Sequence, residues 1–221
     1  MANSVIYRDL LLKQQHGLPL WKPDPNANLP EAYTKEGISV GDVGLLTDDG
    51  GFDYLFNIHA EAHDPVNQFL GTPTSFHHLP LDPATNIHKI ELFHPKKTCI
   101  MRNVSIMPAT DVSLVVESTI TKEHAAMLVL PHGANRYQAK AYDEYKTYVI
   151  EHGKSWYEYL NQVQQRGARN NSLYLVTGCD KTRSWGLAAG SPHQECTVAG
   201  SLALGTSDFH ASWVNAGGVE S

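Results

Sequence analysis

Cysteine is scarce in this chain. Its three residues, Cys99, Cys179 and Cys196, form no CxxC pair and no zinc-finger spacing. An odd, unpatterned set argues against a disulfide framework or a structural zinc cluster, and points to free thiols in a reducing cytoplasm. Long hydrophobic runs are missing too: none approaches the roughly 20 residues of a membrane-spanning helix. The opening MANSVIYRDLLLKQQ has no cationic stretch followed by an apolar one, so no secretory signal is expected. Positive charge is in short supply, with 17 Lys and Arg against 23 Asp and Glu and a net charge of −6. General nucleic-acid binding needs a basic face and is not expected here. Three chemical signatures are also absent: the GxSxG elbow, the phosphate loop GxxxxGKS/T, and GxGxxG at a strand-to-helix junction.

What is present is ordinary globular material. Hydrophobic residues make up 42% of the 221, enough to bury a sizeable core, and no linker-like shift in composition divides the chain. A single domain, 1–221, is the expectation. Charge is uneven: residues 1–64 hold ten acids and four bases, and the remainder thirteen of each. That acidic third reads first as solubilising loop and second as a docking surface.

From the N-terminus, SVIYRDLLLKQQ predicts a short helix with Ser4 as cap and Ile6, Leu10 and Leu11 on one side. Prolines at 19, 23, 25 and 30 then remove donors and fix φ, giving an extended strap anchored by Leu18, Leu20, Trp21 and Leu29. Residues 38–58 carry the clearest hairpin signal, because two apolar runs flank DDGG, whose glycines supply positive φ. Phe52, Tyr54, Phe56 and Ile58 share a face by alternation, and Gly41 and Gly44 mark a bulge or a close backbone approach. Residues 59–95, with five prolines and six histidines, read as loop. Strand signals follow at TCIMRNVSIM and DVSLVVESTI, joined by a turn at 108–111, and at HAAMLVL. Together they predict an antiparallel meander.

Residues 142–166 predict one long amphipathic helix. Tyr142, Tyr145, Val149, Trp156, Leu160 and Val163 form its stripe, while Glu144, Tyr148, Glu151 and Ser155 face solvent. Gly153 interrupts the stripe and Gly167 ends the helix. A buried strand at Leu173–Thr177 continues or returns through Ser184–Ala189. With a weakly hydrophobic arm at 195–214 it makes a long hairpin of small residues. The fold class is therefore α+β: a twisted, mainly antiparallel sheet, one long amphipathic helix and a proline-rich N-terminal strap.

Chemistry concentrates in two places. His59, Glu61 and His63 share one face of an extended chain, a donor set that suits a divalent zinc, iron or manganese ion. The HExxH offset of a metalloprotease is missing, and loop histidines are more often solvated or capping. Cys179 is the best nucleophile candidate, because Lys181 and Arg183 favour its thiolate; a buried structural cysteine is the commoner outcome. Arg166, Arg169, Lys181 and Arg183, with Trp185, form a basic cluster suited to an anionic ligand, a lipid headgroup or a protein surface. More often such a cluster is a solvated face. The hairpin at 173–214 adds a further expectation, since small-residue hairpins can be redeployed into a membrane barrel, although an ordinary sheet is commoner.

Three blocks, GISVGDVGLLTDDGGFDYLFNI, HGKSWYEYLNQ and NSLYLVTGCDKTRSWGLA, resemble a large family of proteins from mushroom-forming (agaricomycete) fungi. That family shares the pattern SxGDVG…GxFDxLFN…SWYxYxN…LYLVTGCDKxxxWG. The resemblance covers most of the chain and implies a fungal origin, but no activity. Members of that family continue past the block matching residues 211–221 into further strand, so the resemblance implies a truncated chain, a domain fragment or a short paralogue that lacks those strands. The run from Leu173 to Ala188 is similar, at the level of fold alone, to a strand of fungal gasdermin-like pore formers.

The combined expectation is a cytoplasmic fungal protein that acts by binding or assembly rather than catalysis, with no resident cofactor. Its partner is a protein, an anionic ligand or lipid surface, or a second copy of the chain. A gasdermin-like membrane role in cell death or self-recognition is the sharper form. The alternative is an enzyme, metal-dependent through His59, Glu61 and His63 or thiol-dependent through Cys179.

Overall fold

The structure, a computed structural model, describes residues 2–106, 118–120, 124–170, 172–190 and 197–201. The expected turn at 108–111, most of the strand at 111–120, Cys196 and the hairpin arm beyond Ser201 lie outside those residues.

The chain begins with α1 (Asn3–Leu11), which tightens into a 3-10 turn at Leu12–Gln14, and continues to α2 (Glu31–Glu36). Strands β1 (Asp42–Leu46) and β2 (Phe52–Asn57) come next, then two single-turn helices, α3 (Pro65–Gln68) and α4 (Pro83–Asn86). Six strands follow: β3 (Ile87–His94), β4 (Thr98–Arg102), β5 (Val104–Ile106), β6 (Ser118–Ile120), β7 (Ala125–Leu130) and β8 (Ala134–Ala139). The long helix α5 (Tyr142–Glu158) runs into a π-helical turn at Tyr159–Val163. Strands β9 (Leu173–Leu175), β10 (Gly178–Lys181), β11 (Trp185–Gly190) and β12 (Thr197–Ser201) complete the order. The protein is α+β, with sheets ordered β2-β1-β9, β10-β8-β3 and β12-β11-β7-β4 beside a β5–β6 pair. The pairings β1–β2, β1–β9, β4–β7, β7–β11, β11–β12 and β5–β6 are all antiparallel.

The chain forms two compact units. The first comprises residues 1–21, 91–135 and 182–221, and the second residues 22–90 and 136–181.

In the first unit α1 lies across the sheet β12-β11-β7-β4. Ile6, Tyr7 and Leu11 pack on Ala126, Leu187 and Ala189, and Trp21 meets the Tyr7 ring edge-on at 5.4 Å. Small side chains on β7 and β11 leave room for the tyrosine and the leucine between helix and sheet. Alternation sends Met127 and Val129 to the opposite face of β7, where they meet Cys99 and Met101. Ser4 is not the cap: the helix begins two residues earlier, at Asn3, and Ala2 holds the N-cap position without a side-chain bond.

The second unit is built on the β1–β2 hairpin and α5. Val43, Leu55, Phe56 and Ile58 meet Tyr145, Tyr148, Trp156 and Leu160. Within the hairpin, Phe56 stands opposite Val43 and Tyr54 opposite Gly44, so Leu55 is an extra residue on β2. This bulge breaks the alternation. Phe52 and Tyr54 join a side cluster with Leu29 and Tyr33, whereas Phe56 and Ile58 face α5. The four residues expected on one face are divided for that reason. Gly44 permits the bulge, since a Cβ there would lie 2.5 Å from the Asp53 carbonyl oxygen.

Several further expectations need correction. Tyr148, expected in solvent, is only 8% exposed, while Tyr142 and Val163, expected in the stripe, are 61% and 64% exposed. A π turn holds more residues than an α turn, so a stripe drawn at 3.6 residues loses its phase beyond Glu158. The helical stretch stops at Val163, and Gln165 and Gly167 both take left-handed φ. The run 173–190 is no single strand, because β9, β10 and β11 belong to three different sheets. Of the strap anchors, Leu29 and Trp21 are packed and Leu18 is exposed. Among the described residues no helix is long and apolar enough to cross a membrane.

Leu160 is fully buried, whereas Val163 is open to solvent. Leu160→Ala is therefore expected to cost about 2–5 kcal/mol in urea denaturation. Val163→Ala should stay within about 0.5 kcal/mol. Equal costs would contradict the π-shifted packing.

Candidate functional site

The residues that sequence singles out for chemistry are mostly engaged in holding the second unit together. Asp42 opens β1 with its side chain 1% exposed, a place where a carboxylate must find donors. Its Oδ2 accepts from the Tyr33 hydroxyl at 2.9 Å and from the Ser39 N–H at 2.7 Å. Its Oδ1 accepts from Asn57 Nδ2 at 2.7 Å. Lys181 supplies the nearby positive charge while its Nζ donates to Ser39 Oγ and to the Glu36 carbonyl, both at 3.0 Å. Burial is the largest influence and pushes the Asp42 carboxyl up to about 6, against the three hydrogen bonds and Lys181, which pull it down. Desolvation wins because the nearest cation is shared with other acceptors.

His59 is placed by its neighbours on every side. Its Nδ1 lies 2.7 Å from the Leu79 carbonyl, which can only accept, so Nδ1 carries the proton. Its Nε2 then accepts from the Tyr145 hydroxyl at 2.7 Å. A Cβ on Gly41 would come within 2.2 Å of the imidazole, and Gly41 has φ +91, so the backbone passes directly beside the ring. Burial lowers the pKa of His59 below the usual imidazole value. A metal ion reaches this nitrogen only by displacing Tyr145. Glu61 and His63 lie outside that cage, as an exposed pair 3.2 Å apart. Among the described residues no group of three or more His, Cys, Asp or Glu is arranged to hold a metal ion. The loop that carries them is tied by Asn67, fully buried, which donates to the carbonyls of Asn57, Ala60 and Glu61.

Cys179 sits on β10, and burial pushes its thiol up to about 11 although Lys181 pulls it down. A thiol in that range is protonated at neutral pH, so the expected activation by neighbouring bases does not prevail. The basic cluster is likewise divided. Arg166 pairs with Asp53 at 2.7 Å, and Lys181 bonds Glu36 and Ser39. Arg169 is exposed in the same unit, whereas Arg183 and Trp185 belong to the first unit, where the partly buried Trp185 packs against the core cluster that contains α1. The first unit also holds a Ser–His contact missed in sequence, His132 Nδ1 to Ser184 Oγ at 2.5 Å. Ser184 is fully buried, which keeps its hydroxyl from any substrate.

One concave surface in the second unit combines charge with an apolar wall. It is an open recess of about 450 Å³ beside α5, lined by Leu79, Asp143, Glu144, Thr147, Tyr148 and Glu151. Helical spacing places Asp143, Thr147 and Glu151 in one row, and Glu144 and Tyr148 in the next. Tyr148 is set by its hydroxyl, which donates to the His77 carbonyl, and by tilted contacts with His152 at 4.4 Å and Trp156 at 5.7 Å. Of this lining, sequence showed only Glu144, Tyr148 and Glu151 as positions off the helix stripe, a pattern shared by any solvated face. Comparison with models of known families, with characterised proteins and with solved structures gave no match to this chain.

Asp42 yields a pH test. Its folded pKa is raised, so its contribution to stability is complete below its ordinary value of 3.8 and is lost as pH rises through about 6. The full difference is on the order of 3 kcal/mol. In Asp42→Asn that slope should vanish, while the new amide NH2 faces the Asn57 donor and costs about 1–3 kcal/mol at pH 4. Urea unfolding of both proteins from pH 4 to 7 decides it, and a wild-type slope retained in the variant rules out this account.

Proposed function

We propose that this chain works by binding rather than by bond-making catalysis, and that the recess beside α5 receives its partner. The observation that carries the reading is the contrast between two sets of groups. His59, Asp42 and Cys179 are caged or protonated within the fold, whereas the carboxylates of Asp143 and Glu144 make no ion pair among the described residues. Three carboxylates at the mouth attract a cation, and Leu79 with the Tyr148 ring offers an apolar wall for a methylene stem. That combination suits lysine or arginine side chains of a protein partner. It favours a cationic partner over an anionic one, since two of the four basic residues are already paired.

A fluorescent oligolysine peptide serves as the probe. Saturable binding is expected, weakened about tenfold or more by Glu144→Gln with Glu151→Gln, and weakened again at about 0.5 M salt. Absence of saturable binding, or binding indifferent to the double variant, refutes the proposal.

A second reading, membrane action in fungal cell death or self-recognition, draws on the first unit. There an amphipathic α1 covers a sheet of small-residue strands, with β11 and β12 paired from Trp185–Ser201 to Ala189–Thr197. The likeness of residues 173–188 to a gasdermin-like strand suggests this reading, although here that run is divided among β9, β10 and β11. This reading expects dye release from vesicles containing anionic lipid, abolished by charge reversal at Arg166, Arg169 and Arg183. Protein that neither binds such vesicles nor releases their dye overturns this reading.

A further inference from the structure

Between the π turn and β9 the chain passes through a short polar segment whose two ends are fixed. At one end Asn161 clasps Ala168: Oδ1 accepts from the Ala168 N–H at 2.7 Å and Nδ2 donates to its carbonyl at 3.2 Å. The Tyr157 hydroxyl donates to the same carbonyl. At the other end Leu173 pairs with Leu45 of β1. The intervening residues read Arg169-Asn-Asn-Ser172, with Arg166 three positions further back. The N–H and the hydroxyl of Ser172 both donate to the Arg169 carbonyl, at 3.2 and 2.7 Å. That hydroxyl has no other bond among the described residues, so the fold does not depend on it.

We propose that Ser172 is a phosphorylation site for a serine kinase that reads arginine three residues before its acceptor, and that Arg169 and Arg166 receive the phosphate. Two observations support the assignment. The acceptor lies outside regular structure, and Arg169 is exposed with no side-chain partner among the described residues. In the transfer, Ser172 Oγ attacks the γ-phosphorus of ATP and its proton passes to the kinase's base. The bond to the bridging oxygen breaks and ADP leaves. The phosphoserine then carries a charge of about −1.5 to −2 and three acceptor oxygens for the guanidinium groups of Arg169 and Arg166 to approach. Arg166 is held by Asp53 of β2 at 2.7 Å, so the phosphate competes for a base that already belongs to the edge strand of the sheet. The modification thereby ties Ser172 to the two arginines immediately before β9, a strand of only three residues.

The 221-residue chain, incubated with magnesium ATP and a base-directed serine kinase, is expected to gain phosphate on the peptide containing Ser172. Ser172→Ala should gain none there, and Arg169→Ala should be modified about tenfold more slowly. Trypsin cuts after Arg166 and Arg169, and phosphorylation is expected to slow both cuts about tenfold. Incorporation confined to other residues overturns the site assignment. Phosphate on Ser172 that leaves trypsin cleavage unchanged overturns the role given to the two arginines.

Discussion

A carboxylate removed from water must be answered by donors, and at Asp42 that demand organises four separate pieces of chain. Tyr33 arrives from α2, Ser39 from the turn before β1, Asn57 from the end of β2 and Lys181 from β10. None of Tyr33, Ser39 and Asn57 can shift without leaving an oxygen short of a donor in a site that solvent does not reach, and Lys181 adds only its nearby charge. The same group of residues fixes the environment of Cys179, whose thiol is held protonated by burial with Asp42 and Asp180 nearby. A buried charge of this kind adds little to stability by itself, but it specifies which arrangement of the pieces is acceptable.

Asparagine amides extend that logic to the irregular parts. Asn57 passes the network on, donating to Asp42 and accepting from the His59 N–H, while Asn67 collects three carbonyls from the loop that follows. Asn161 does the same for the segment before β9. A side-chain amide carries both donor and acceptor, so one residue can satisfy a backbone turn that no ladder reaches. The irregular stretches of the second unit are thereby held where no ladder reaches them.

Helix α5 joins this interior to the surface proposed for binding. One side inserts Tyr145, Trp156 and Leu160 into the core, and Tyr145 also closes the cage around His59. The adjoining rows present Asp143, Glu144 and Glu151 around Tyr148. A rigid helix anchored at several points can hold such a surface without rearrangement, which keeps the ordering cost of association low. The π turn at its end seats Tyr159 and Gln164 on the Leu70 carbonyl, so the helix is fastened to the α3 loop as well.

Sequence alone determined the elements whose signals are local. The DDGG hairpin, the N-terminal helix, the long aromatic helix and the strands around Ile100 and Met127 follow from turn chemistry and periodicity, and with them the α+β class. The glycines at 41 and 44 were readable as close approaches, because nothing else explains glycine inside a strand signal. Strands β3 and β8 were not readable, since IHKIELFH and ANRYQA carry too little alternation and take their pairing from distant partners. What each polar side chain does was decided by tertiary structure. His59 reads as a metal ligand until Leu79 and Tyr145 are brought to its two nitrogens, and Arg166 reads as free charge until Asp53 is found 2.7 Å away. Periodicity reports which way a residue faces, but a hydrogen bond depends on what stands opposite, and those partners lie 20 to 113 positions away in the chain.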